Sequence, residues 1–88
     1  MTATDHSKEA VKIINECVEK ARKIETHSVV LLWISPFGNL DHRVGYFEDY
    51  DDAARYAYDI YTACKKANGD DAVCEIYIDG STSLQYVK

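Results

Sequence analysis

Apolar residues Ala10, Ile13, Ile14, Cys17, Ala21 and Ile24 recur at spacings of three and four, the interval that lines side chains along one stripe of a helix. The spacing predicts a first helix over residues 8–25, with Lys12, Asn15, Glu16, Glu19 and Lys23 on its wet side. Asp5 or Ser7 is placed to cap its start, and Lys20, Arg22 and Lys23 lie near its end, where positive charge suits the helix dipole. The pattern then changes. Residues 28–35 read Ser-Val-Val-Leu-Leu-Trp-Ile-Ser, a short β-branched run with Val30, Leu32 and Ile34 on one side and Val29, Leu31 and Trp33 on the other. A strand apolar on both faces is a central strand covered on two sides. The loop at residues 36–41 is rich in turn formers and leads to a second strand at 42–48, so the two strands should form an antiparallel hairpin with Phe37 and Leu40 exposed.

A second helix should follow from Asp49 to the Asn68-Gly69 stop, with Asp51 and Asp52 in its first turn and Lys65 and Lys66 in its last. Its inner face is Ala53, Ala57, Ile60, Cys64 and Ala67, small residues that let a helix lie close on a sheet. Arg55, Asp59, Thr62 and Lys66 face water, Tyr56 and Tyr61 flank the stripe, and Tyr58 leans outward. A third strand at 72–79 alternates Ala72, Cys74, Ile76 and Ile78 with Val73, Glu75, Tyr77 and Asp79. Gly80 and Ser81 turn the chain into a short edge strand at 82–88. The second helix links strands two and three as a crossover, which makes those two parallel and leaves a slot for strand one between them. The expected fold is a single α+β domain over residues 1–88, with a flexible tail at 1–6, element order α-β-β-α-β-β and sheet order 2-1-3-4.

Length and composition agree with this picture: 88 residues have room for one core, and 47% hydrophobic with 28% charged residues is the make-up of a folded domain. Charge is unevenly placed. Residues 1–44 carry six acids and six bases, whereas residues 45–88 carry nine acids and four bases, so the whole net charge of -5 lies in the second half. Such a field repels nucleic acid and anionic membrane and attracts basic surfaces. The polar start, Met1 to Ser7, lacks the apolar core of a signal peptide, and no run approaches a membrane span. The expected location is the cytoplasm.

Motifs that carry chemistry are few. Cys17, Cys64 and Cys74 are odd in number, show no Cys-x-x-Cys spacing and fall on apolar stripes, so the expectation is three buried, reduced thiols and neither a disulfide framework nor a zinc site. Glycines 38, 45, 69 and 80 are isolated, which leaves no phosphate-cradling loop. His6, His27 and His42 are scattered, and Asp41-His42 has no nucleophile in view. The acids at 49–52 run straight into a helix, without the alternating ligands, central glycine and distant glutamate of a calcium loop. The chain is therefore expected to be no enzyme and to use no cofactor or metal.

What remains is the acidic run Glu48-Asp49-Tyr50-Asp51-Asp52. A cap at Asp49 and carboxylates in the first turn stabilise a helix, yet capping needs only one or two acids. Glu48 lies outside the helix, and Asp59 lies further along its wet side beside Tyr58. Tyrosines beside acids on an exposed ridge suit a protein contact, because aromatic anchors supply interface energy and charge supplies steering. Glu48, Asp49, Asp51, Asp52, Tyr58 and Asp59 are thus the candidate partner-binding residues, and the expected partner is a protein with a basic surface. In size, acidity and lack of motifs the chain resembles in kind the small inhibitors that phages encode against bacterial restriction or CRISPR defences. That resemblance implies a module that presents carboxylates where the phosphates of a nucleic acid would lie, acting in the host cytoplasm. The alternative is a structural or regulatory homodimer joined through an apolar sheet face carrying Leu31, Trp33 and Tyr77.

Overall fold

The computed structural model describes residues 6–35, 37–69 and 73–82. They form α1 (His6–Lys23), β1 (His27–Ile34), β2 (Leu40–Phe47), α2 (Tyr50–Asn68), β3 (Cys74–Ile78) and the two-residue β4 (Ser81–Thr82). The architecture is α+β: two helices and an antiparallel sheet in which β1 is paired with β2 on one side and β3 on the other. Ser81 and Thr82 add a short antiparallel pairing to the outer side of β3. The rest of the fourth strand expected at 82–88 lies outside the described residues.

Register decides which residues share a face. His27 stands opposite Phe47 and Ile34 opposite Leu40 across the β1–β2 pair, while Val29, Leu31 and Trp33 stand opposite Ile78, Ile76 and Cys74 across the β1–β3 pair. One face therefore carries Val29, Leu31, Cys74, Ile76 and Ile78, and α2 covers it with Ala53, Ala57, Ile60 and Cys64. The other carries Val30 and Leu32, covered by α1 through Ala10, Ile13, Ile14 and Cys17. The helices thus lie on opposite sides of the sheet, which is why β1 is apolar on both faces. Ala53 and Ala57 are fully buried, as small residues must be where a helix axis lies close over strands.

Turns follow local chemistry. The loop between β1 and β2 is closed by Ser35, whose backbone N–H donates to the Asn39 carbonyl at 2.8 Å and whose hydroxyl accepts from the N–H groups of Phe37 and Asn39. Phe37 at its tip is 89% exposed, as expected, whereas Leu40 is half-buried against the α1 core. At the far end of β3, Asp79 and Gly80 both take positive φ, 54° and 84°, the two-residue turn whose twist matches that of a hairpin. Ser28, fully buried in β1, has a hydroxyl that finds no hydrogen-bond partner among the described residues.

Candidate functional site

Helix α2 starts where the acidic run begins. Asp49 sits in extended backbone, φ −107° and ψ 130°, and its carboxylate accepts from the Asp51 N–H at 2.9 Å. One acid thus satisfies an orphan amide of the first turn. Asp51 and Asp52 follow within that turn, near the positive end of the helix dipole. Helical periodicity then takes Asp51, Tyr58 and Thr62 along one line and Asp52, Asp59 and Lys66 along its neighbour, with Arg55 between them. All of these side chains are exposed, as are Glu48 and Asp49, because the opposite side of the helix holds Ala53, Ala57, Ile60 and Cys64 against the sheet.

The structure leaves all six candidate residues exposed, Glu48, Asp49, Asp51 and Asp52 at the start of α2 and Tyr58 and Asp59 about two turns further along it. Among the described residues of this surface five carboxylates face two bases, Arg55 and Lys66, and the Arg55 guanidinium lies 3.8 Å from Asp52 one turn earlier. That pair is open to solvent on both sides and contributes little to stability. Tyr58 is 46% exposed and offers its ring to the surroundings.

Three further residues, Tyr50, His27 and Asp79, join this surface beyond the six candidates. Tyr50 is 40% exposed, and the ring of His27 meets it edge-on with centroids 5.4 Å apart. His27 Nδ1 is in turn 2.7 Å from Asp79 Oδ2, and the other oxygen of Asp79 accepts from the Ser28 N–H at 3.0 Å. The acidic surface thus runs from α2 across His27 to a carboxylate on the β3–β4 turn. Tyr50 stood in the acidic run and was legible there; Asp79 was not, because only the β1–β3 register brings it beside His27.

The apolar face carrying Leu31, Trp33 and Tyr77 has to be corrected. Leu31 is 2% exposed beneath α2, and Trp33 is half-buried at the edge of the same core. Tyr77 pairs with Val30 and lies on the opposite side of the sheet, in the α1 core, where its hydroxyl donates to Glu75 Oε1 at 2.9 Å. Side chains alternate along a strand, so a register shifted by one residue exchanges the faces. Among the described residues no three His, Cys, Asp or Glu side chains gather in a way that could hold a metal ion, and no helix is long and apolar enough to cross a membrane. Comparisons with protein-family models, with curated proteins and with solved structures each return no match.

Proposed function

We propose that this chain is a non-enzymatic protein-binding module that docks through the outward face of α2 on a basic surface of its partner. One observation carries the reading: Asp51, Asp52, Tyr58 and Asp59 share that face, with Glu48 and Asp49 at its start, although a single carboxylate already caps the helix. Asp52 and Asp59 stand two turns apart, about 10.5 Å along the helix axis, so negative charge is set at both ends of this stretch of a rigid helix. Against a groove lined with lysine and arginine such charge supplies steering, and the exposed Tyr58 ring supplies an anchor. In its most concrete form the module is an inhibitor that fills a nucleic-acid channel of its partner, in the manner of phage proteins directed against restriction or CRISPR systems, and it acts in the cytoplasm of the host.

The test is charge reversal. Immobilised wild-type protein should retain a basic protein from a lysate of the source cells, and that protein should lose its nucleic-acid binding in proportion to the chain added. The Asp52→Lys/Asp59→Lys variant should bind the same protein at least tenfold more weakly, and added salt should slow association of the wild type. Circular dichroism separates this loss from unfolding. Asp52→Lys should lower stability by only about 0.3–1 kcal/mol through the helix dipole, and Asp59→Lys by less. Binding at unchanged affinity after both reversals would remove this surface as the docking site.

A further inference from the structure

Cys64, near the end of α2, and Cys74, at the start of β3, are each 8% exposed, and their sulfur atoms stand 3.1 Å apart. An approach of only about 1 Å more would reach the ~2.05 Å of a disulfide bond. The two come from different elements and meet only because α2 lies on the face of the sheet that bears Cys74. Cys17 belongs to the other core, under α1, with the sheet between it and this pair. We propose that Cys64 and Cys74 are a reversible disulfide site, formed by exchange with a small carboxylate-bearing disulfide of the glutathione type.

The surroundings of Cys64 give such a reagent a way in. A cleft of about 230 Å³ opens between the C-terminal half of α2 and the sheet, and its walls include Trp33, Arg43, Cys64 and Asn68. Arg43 is exposed there and presents a guanidinium to the carboxylates of the incoming disulfide. The Asn68 side-chain amide donates to the Cys64 carbonyl at 2.9 Å and also lies 3.5 Å from the Cys64 sulfur, a polar group on the cleft side of that atom. Cys74 does not line the cleft, and burial and the neighbouring Cys64 push its thiol up to about 12. Cys64 is accordingly the first to attack.

The chemistry balances without any other reactant. The Cys64 thiolate attacks one sulfur of the disulfide RSSR, forming a mixed Cys64–S–S–R bond and expelling RS⁻. Cys74 then attacks the Cys64 sulfur, breaking that mixed bond, forming the Cys64–Cys74 bond and expelling a second RS⁻. The two thiol protons leave on the two RSH molecules, and two electrons pass from the protein to the reagent. The bond would tie the end of α2 to the start of β3 by closing a loop between residues ten apart.

The folded, fully reduced chain is incubated with oxidised glutathione, quenched with acid, blocked at its free thiols, and read by intact mass and peptide mapping. The expected product has lost about 2 Da, carries a Cys64–Cys74 link and a blocked Cys17, and returns to the reduced form with dithiothreitol. Its melting temperature should rise by roughly 5–15 °C, since the link restricts the unfolded chain. Cys74→Ser should hold a lasting glutathione adduct on Cys64. The wild-type result stands whether or not that variant folds. The proposal is overturned by no reaction, by stable adducts on wild type without the link, by a link that includes Cys17, or by a link that appears only in urea.

Discussion

Glu25 and Asp79 both hold the left-handed backbone conformation, with φ of 56° and 54°, and their different side-chain roles predict opposite responses to the same substitution. Glu25 ends α1: the Thr26 N–H donates to the Ala21 carbonyl at 2.8 Å and the Glu25 N–H to the Arg22 carbonyl at 3.3 Å. This is the paired closure that usually places glycine at the left-handed position. Its side chain is exposed, so Glu25→Gly relieves the conformational cost and should raise stability by about 0.5–1 kcal/mol. Asp79 instead holds His27 and the Ser28 N–H with its two oxygens. Asp79→Gly loses both contacts and should lower stability by about 1–2 kcal/mol despite the easier backbone. Urea denaturation of the two variants decides the matter, and shifts of the same sign would break the account. The spacing predicts a helix running to residue 25, two residues past the end of α1 at Lys23, since a glutamate stands where glycine is the usual signal.

At the scale of elements, β2 and α2 meet through a glycine. Phe47 and Tyr56 pack with ring centroids 4.9 Å apart, and a β-carbon at Gly45 would come within 2.8 Å of both rings. The strand can pass beneath this pair only because residue 45 has no side chain, which is the reason for a glycine in the middle of a strand. Gly45→Ala should force the rings apart and lower stability by about 1–3 kcal/mol. Near-ultraviolet circular dichroism should show the aromatic pair disturbed; an unchanged spectrum and midpoint would mean that the rings are not held there. The elements themselves were largely legible. Alternation on both faces marked β1 as central, and the spacing of Ala53, Ala57, Ile60 and Cys64 marked the inner side of α2. Ala67, expected inside, is exposed, one turn past the last buried residue of α2, Cys64.

Over the whole molecule, two cores on either side of one sheet place distinct surfaces at opposite ends. The acidic surface lies where β1 starts and β2 ends, while the exposed Phe37 marks the hairpin tip at the other end. Both cores contain a hydroxyl or thiol that burial keeps neutral. Tyr46 is pushed up to about 12 by burial and by the Cys17 thiol beside it, Cys74 reaches about 12 by burial and by Cys64, and burial also raises Tyr77. In the unfolded chain a thiol ionises near 9 and a tyrosine near 10, so these groups contribute their full stabilisation below pH 9 and lose it as pH rises toward 12. Under reducing conditions the urea midpoint should therefore fall between pH 8 and pH 10.5. The fall should be shallower in Cys74→Ala, and an equal slope in that variant would show that the thiol is not held neutral by the fold.

The amino-acid sequence alone determined what periodicity and local chemistry can encode: two amphipathic helices, a two-faced central strand, the Asp49 cap and the exposure of Asp51, Asp52, Tyr58 and Asp59. Each of these rests on neighbours a turn or less apart. Tertiary structure decided what depends on how separate segments meet. The β1–β3 register put Tyr77 on the side away from Leu31, brought Asp79 to His27 across 52 positions, and placed the apolar residues of β3 under α2. The same packing set the sulfurs of Cys64 and Cys74 in contact. A strand offers either face equally well until pairing fixes one against a helix, and burial of the larger apolar set beneath α2 and α1 makes that choice.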